Sequence, residues 1–351
     1  MKYSVIIPCY NVERWLSRCI DSVASAMPEG GELIAIDDGS ADGTGALLRG
    51  LRDSLAGTFA ATGRRFSVLS IPHAGVSAAR NAGLGAAEGE IVFFVDPDDE
   101  VEPDFFSKMI AAMERDGADC CICAFKTRRD GDAAAPREDA LKADYSFAGN
   151  DDIVEKFLPR IFGYSFGDIR RWYGGESLFS GREMASVWRM AYRRRVVERH
   201  SIRFDESVEL YEDMLFNARF LLHAERMSCV REALYRVTER ASGAMASVPR
   251  DGTRYCRNKL RLLAARGELD AESGGRLAPV YAGTCVLSAL ELLSFAVRLR
   301  VPPRDGAAFL RECLSMPAVR RALRGFPLSP RRPFVAAAVL ILRAASAFVR
   351  R

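Results

Sequence analysis

The stretch "EIVFFVDPDDE" (90–100) sets two opposed demands side by side. Ile91 to Val95 are five consecutive apolar residues, and they run straight into Asp96, Asp98, Asp99 and Glu100. An apolar run of this length, bounded by turn residues, marks a strand buried on both faces. The carboxylates that follow repel one another unless water, hydrogen bonds or a cation offsets their charge. The stretch therefore reads as a buried strand that delivers acidic residues to the edge of a sheet.

Working outward, the same grammar repeats. Further β-rich runs lie at "YSVIIP" (3–8), "ELIAID" (32–37), "FSVLSI" (66–71) and "DCCICAF" (119–125), and helical patterns fill 12–27, 42–56, 76–88 and 103–116. Pro103 suits the first turn of the last of these helices. Apolar strands alternating with helices predict an α/β fold, a Rossmann-like and mostly parallel sheet flanked by helices. From 127 to 151 the chain turns polar and rich in Gly, Pro and Asp, which predicts a surface excursion. Residues 152–240 mix helices with an aromatic, Gly-containing loop (163–181), and beyond about 250 the pattern is wholly helical.

Composition narrows the function classes. The chain has 351 residues, 49% of them hydrophobic, as an ordinary globular protein has. Its net charge of +4 comes with scattered arginines, which argues against a nucleic-acid partner and leaves room for an acidic ligand. Nine cysteines at irregular spacings form no disulfide framework, and "MKYSVIIPCYN" turns polar too soon for a signal peptide, so a reducing, cytoplasmic location is expected. "CCIC" (120–123) reads better as a buried small-residue strand than as a metal site. No stretch is read as reaching the roughly 18–20 apolar residues of a membrane span. The nearest, 334–349, is interrupted by Arg343.

In an open parallel sheet, ligands bind outside the carboxyl ends of the strands. Three expected strands end there in polar residues: Pro8-Cys9-Tyr10-Asn11, Asp37-Asp38-Gly39-Ser40 and Asp96-Pro97-Asp98-Asp99. Helix capping accounts for one such residue per helix, not for two or three. No G-x-G-x-x-G follows the first strand, and neither a P-loop nor a G-x-S-x-G elbow occurs. With three histidines, a histidine-rich metal site is not expected, and His223 is read as a packed residue. Carboxylates on a sheet edge suit a hard divalent cation, Mn²⁺ or Mg²⁺, which takes one or two carboxylates plus phosphate oxygens. An Asp-x-Asp at a strand end fits a metal bridging the protein to a diphosphate.

Taken together, "SVIIPCYN", "IDDGSADGT", "HAGVSAARNAGLGAAEGEIVFFVDPDD" and "YEDMLF" resemble the inverting glycosyltransferases of family 2, with the GT-A fold, over about residues 3–245. The resemblance implies a nucleotide-sugar-binding half at 1–125, an acceptor-binding half at 126–248 and an added helical region at 249–351. It implies that Tyr10 stacks on the nucleotide base beside Pro8 and Asn11, and that Asp38 hydrogen-bonds the base. Arg80 would lie near base and phosphates, with a structural ion pair as the alternative. Asp96 would approach the ribose or sugar, Asp98 would bind the metal, and Asp213 would act as general base. Chemistry agrees on the last point, because inverting transfer needs one base opposite the leaving diphosphate, and "ESVELYEDMLFNARFLLHAER" (206–226) reads as a loop opening into a helix with Asp213 in its first turn. Plain N-terminal helix charges are the competing reading of Glu212 and Asp213.

Other features stay open at this level. Trp188 either lines the acceptor pocket or packs. Arg236 and Arg240, in "YRVTERASGAMAS" (235–247), are candidates to contact phosphate. "AGLGAA" is expected to pack a helix closely on the sheet, Glu100 is expected to face solvent, and His73 stands where many relatives carry Asn. The tail 327–351, apolar with arginines at both ends, is either an interfacial helix on an anionic membrane or the last helix of a bundle. The expected function is transfer of a sugar from a nucleotide-diphosphate donor, a UDP-sugar, to a glycan or lipid-linked acceptor in surface-polysaccharide synthesis. The alternative is a catalytically silent nucleotide-binding subunit; a nucleotidyltransferase would show a Gly-rich basic loop where "PCYNVERW" stands.

Overall fold

The strands appear where the apolar runs lie. In a computed structural model that describes residues 2–132, 135–240, 252–298 and 300–349, β1 (Tyr3–Cys9), β2 (Glu32–Asp37), β3 (Arg65–Ser70) and β4 (Ile91–Phe94) are all parallel. Between them run α1 (Glu13–Ala26), α2 (Thr44–Ala61) and α3 (Val76–Ala86), followed by α4 (Phe105–Asp116). β1 is buried at every residue because it has a neighbour on each side and helices over both faces. On α1, Leu16, Cys19, Ile20 and Val23 recur at helical spacing and join the core formed with Val5, Ile7 and Phe93.

The second half of the sheet is less legible in sequence. Its order is β3-β2-β1-β4-β8-β6-β9-β5, with β7 on β6. β5 (Glu100–Val101), β7 (Arg137–Asp139), β8 (Met190–Arg193) and β9 (Met227–Glu239) complete it around β6 (Cys120–Arg129). β8 runs antiparallel to both β4 and β6, whereas β6 and β9 are parallel. β7 arises within the polar stretch read as a surface excursion. β6 carries Cys120, Cys121 and Cys123, all buried, and burial pushes their thiols up. They are strand residues, as expected. Gly83 lies where a Cβ would come within 2.4 Å of Ile6 Cγ2, so α3 sits closer to β1 than any side chain would allow.

Contacts divide the chain into two units. The first comprises Met1–Ile153 and Ala185–Arg240, and it contains the sheet. The second comprises Val154–Met184 and Ala241–Arg351. Its described helices include Phe166–Tyr173, Gly252–Glu272, Ala278–Val297, Pro303–Ser315, Pro317–Gly325 and Pro333–Phe348.

One expectation is corrected in this unit. Ala278–Val297 is, by length and composition, long and apolar enough to cross a membrane. Half of its most apolar stretch is buried, with Cys285, Val286 and Ala289 fully inside, as in a core helix. In Pro333–Phe348, Val339 and Leu342 are buried, and Arg343 turns inward to donate to the carbonyls of Leu323 (2.7 Å) and Phe326 (2.9 Å). Phe334, Leu340, Ile341 and Phe348 remain exposed. The helix thus packs on one side and keeps an uncharged apolar stripe on the other.

Candidate active site

The strand order reverses beside β1: the chain steps from β1 to β2 to β3 on one side, then returns with β4 on the other. A crevice opens at such a switch point, outside the carboxyl ends of the strands. All three acidic or polar strand ends lie at this rim.

The β1 and β2 ends build its first wall. Pro8 is buried in register with Ile36, beyond the last β1–β4 pair, Ile6↔Phe94, so its missing N–H falls where only one strand flanks it. Asn11 adopts φ 51°; its N–H donates to Ser40 Oγ (3.1 Å) and its Oδ1 accepts from the Ala41 N–H (2.8 Å), which ties the two rim loops together. Tyr10 is 43% exposed and stacks on His73, ring centroids 3.9 Å apart and planes 14° from parallel. Asp38 is buried: Oδ1 accepts from the Ala74 N–H (2.8 Å), and Oδ2 accepts from the Gly75 N–H (2.9 Å) and from His73 Nδ1 (2.9 Å).

The β4 end builds the second wall. Arg80, 3% exposed on α3, is the junction. Its Nη1 donates to Asp213 Oδ1 (2.7 Å) and Glu212 Oε1 (3.0 Å), its Nη2 donates to Asp96 Oδ1 (3.0 Å), and its guanidinium lies over Phe204. Burial by itself would lower the Arg80 pKa, but the carboxylates of Asp213, Asp96 and Glu212 outweigh it and hold the guanidinium charged. Of the two sequence readings, this arrangement displays the ion pair. The Asp96 N–H donates to Tyr235 Oη (3.0 Å), which fixes the turn after β4.

Asp98 pairs with Arg240, Nε to Oδ2 at 2.5 Å. Burial, then the charge of Asp96, pushes the Asp98 carboxyl up to about 6, with Arg240 opposing. Among the described residues no three His, Cys, Asp or Glu converge as a metal cage. A single carboxylate completed by diphosphate oxygens and water is nonetheless the donor set that Mg²⁺ and Mn²⁺ ordinarily take, so Asp98 fits such an ion. Asp99 is buried and accepts from the Thr238 N–H (2.7 Å), so it serves the turn. Glu100 does not face solvent as expected. It lies in β5, buried, paired with Arg18 and with Arg236 (3.2 Å), because the strand end turns back under β9.

Asp213 lies in the first turn of the helix Glu212–His223. Its Oδ2 accepts from the Val187 N–H (3.2 Å). Burial pushes its carboxyl up to about 7, Arg80 opposes this, and Glu212 and Asp96 add to it. A carboxylate poised near neutrality is what a general base requires. The residue before the helix, Tyr211, takes φ 68°, a left-handed conformation uncommon for an aromatic residue.

Several neighbours were not legible as functional. Glu212 shares Arg80 with Asp213, and only its place in the "ED" pair hinted at that. Trp188 packs on Tyr235, centroids 4.4 Å apart, which resolves its two readings in favour of packing. Arg236 is engaged by Glu100 and by Glu102 (2.9 Å), while Arg240 stands beside Asp98. Residues 241–247 of the stretch holding these arginines lie outside the described residues.

Comparison with known proteins bears on the family and the fold. The chain is 30% identical over 233 residues to the uncharacterized glycosyltransferase EpsJ of Bacillus subtilis, covering 66% of this chain and 59% of that one. It is 25% identical over 251 residues to the poly(ribitol-phosphate) beta-N-acetylglucosaminyltransferase TarS of Staphylococcus aureus, covering 70% and 37%. The match thus spans less than two thirds of either relative's length. The fold is similar to the crystal structure of S. aureus TarS 1–349 in complex with UDP-GlcNAc, with a TM-score of 0.63 at 21% identity over 100% of this chain and 92% of that one. The family model described as "Glycosyl transferase family 2" matches residues 4–194, more than half of the chain, which therefore belongs to that family.

Proposed function

We propose that this protein is an inverting glycosyltransferase, moving a sugar from a nucleotide-diphosphate donor, a UDP-sugar, to a hydroxyl of a glycan or lipid-linked acceptor in bacterial surface-polysaccharide synthesis at the cytoplasmic side. The observation that carries the reading is the pairing of Asp213, poised at about 7, with Asp96 of the Asp-x-Asp through one buried guanidinium. Acid–base and donor-binding groups so joined suit a single displacement. TarS, an N-acetylglucosaminyltransferase that binds UDP-GlcNAc, supports donor class and biological setting by similarity.

In this reading residues 1–125 bind the donor, 126–248 the acceptor, and 249–351 form the helical addition. The Asp213 carboxylate takes the acceptor hydroxyl proton as the new C1–O bond forms and the bond from C1 to the diphosphate breaks with inversion. Asp98 would hold Mn²⁺ or Mg²⁺, which supplies neutralisation of the diphosphate's charge. Tyr10 offers an exposed aromatic face to the base, and Asp96 faces the ribose or sugar. The apolar stripe Phe334, Leu340, Ile341 and Phe348, preceded by Arg331 and Arg332, suits peripheral contact with an anionic membrane that presents a lipid-linked acceptor.

A panel of nucleotide sugars, scored for Mn²⁺-dependent thermal stabilisation and donor hydrolysis, tests the proposal. Stabilisation and turnover by one UDP-sugar are expected. Failure of every nucleotide to stabilise the protein would overturn it.

A further inference from the structure

Resting on the metal reading of Asp98 above, we infer that Arg240 is a positioning residue, the internal counter-ion of Asp98. It holds that carboxylate in place while no metal is bound and yields it when a divalent cation arrives.

The need for such a group is set by the sequence. Asp96, Asp98 and Asp99 lie within four residues, and their repulsion is poorly screened where water is largely excluded. Two of the three are answered elsewhere: Arg80 pairs with Asp96 (3.0 Å), and the Thr238 N–H donates to Asp99 (2.7 Å). For Asp98, Arg240 is the one basic side chain within ion-pair distance among the described residues, Nε to Oδ2 at 2.5 Å.

The fold brings Arg240 there by register. Near the end of β9 the Thr238 hydroxyl accepts from Arg18 Nη2 (3.1 Å), which also donates to the Asp98 carbonyl (3.4 Å). Arg240 stands two residues further on, and a period of two returns its side chain to the same turn. Its guanidinium lies over the Trp15 ring, 4.7 Å from the centroid. Trp15 on α1 is fixed in turn, because its Nε1–H donates to Asp130 Oδ2 (3.1 Å). The Asp130 N–H donates to the Glu239 carbonyl (3.0 Å), next to Arg240 itself. Helix α1, the end of β6 and the end of β9 thus build one seat for a planar cation, which an indole face suits.

One carboxylate oxygen cannot serve two cations. A divalent ion carries twice the charge of the guanidinium, and diphosphate oxygens complete its shell, so it displaces Arg240 from Asp98. Without a metal, the pair keeps the Asp-x-Asp turn from being forced open by its own charge, and it weakens the hold on a free metal ion.

The test titrates Mn²⁺ alone into nucleotide-free protein by calorimetry. Arg240→Gln is expected to bind Mn²⁺ at least about tenfold more tightly than the wild type, because a competing cation is gone. Trp15→Leu loosens the seat but leaves Asp98 and Arg240 in place, so its affinity should rise in the same direction by less. Loss of a merely structural contact would weaken Mn²⁺ binding, so the sign of the change is decisive. Trp15 fluorescence gives an independent reading: diamagnetic Mg²⁺ should alter the wild-type emission as the guanidinium leaves the indole, and should not alter that of Arg240→Gln. Mn²⁺ affinity equal to or below the wild type's in both variants, or Mg²⁺ binding without a change in wild-type emission, would overturn this role of Arg240. Proteins that bind UDP equally with and without EDTA and take up no divalent ion would overturn the metal assignment of Asp98 and this role with it. A wild type that binds no nucleotide overturns the donor reading, whereas the Mn²⁺ comparison decides the role of Arg240 by itself.

Discussion

Arg80 Nη1 lies 2.7 Å from Asp213 Oδ1, and the same guanidinium reaches Asp96 through Nη2 at 3.0 Å. One buried cation therefore holds the candidate base and the first Asp of the Asp-x-Asp together. It also sets the protonation behaviour of the base, because Arg80 opposes the rise that burial imposes on Asp213.

Replacing Asp213 by Asn should remove the proton acceptor while keeping the shape. Transfer is expected to fall by roughly 10²–10⁴-fold, the usual contribution of a general base. Nucleotide affinity, measured by calorimetry, should be unchanged. Near-normal turnover would show that another group takes the proton.

The pH profile of kcat/KM reports the free enzyme. Asp213 must be ionised to act, and its carboxyl is pushed up to about 7. Activity should accordingly rise with pH through an acid limb near 7, not near the ordinary carboxylate range. Arg80→Gln removes the charge that favours ionised Asp213, so the limb should move to higher pH and part of the lost activity should return in alkaline buffer.

Losing the Arg80 guanidinium also bears on stability. Removing one partner of a fully buried ion pair costs about 3–5 kcal/mol; Asp96, Glu212 and Asp213 are half-buried and would partly rehydrate, so a smaller loss is expected as they are left facing one another. A clear fall in Tm by calorimetry is expected for Arg80→Ala, smaller at acidic pH, where the carboxylates protonate. An unchanged Tm would mean that water replaces the guanidinium freely.

Asp98→Ala should weaken nucleotide binding in the presence of Mn²⁺ and leave binding in EDTA almost as it was. Equal losses in both buffers would argue that Asp98 supports the loop through Arg240 (2.5 Å) rather than through a cation.

On the apolar stripe of the last helix, Phe334→Asp with Ile341→Asp should abolish co-sedimentation with vesicles containing anionic lipid. Fold and nucleotide binding should not change, because both side chains are exposed. Equal sedimentation of wild type and variant would remove the membrane from the reading.

The sequence by itself determined the parallel half of the sheet and its rim. Buried parallel strands are continuous apolar runs, and their polar ends cannot be hidden, so β1, β2, β4 and the carboxylates after them were visible in one dimension. β8 and β9 were not. β8 is four residues inside an arginine-rich run, and β9 alternates buried and half-exposed residues without a clean period. Their pairing partners lie far away in the chain.

Only the tertiary structure decided which polar residues pair with one another. Glu100 looked like a solvated charge until β9 brought Arg236 across it. Asp38 and His73, 35 residues apart, and Arg80 and Asp213, 133 apart, meet only through the fold. A carboxylate's chemistry depends on its burial and on the charges within a few ångströms, and those are set by packing, not by residue type or spacing.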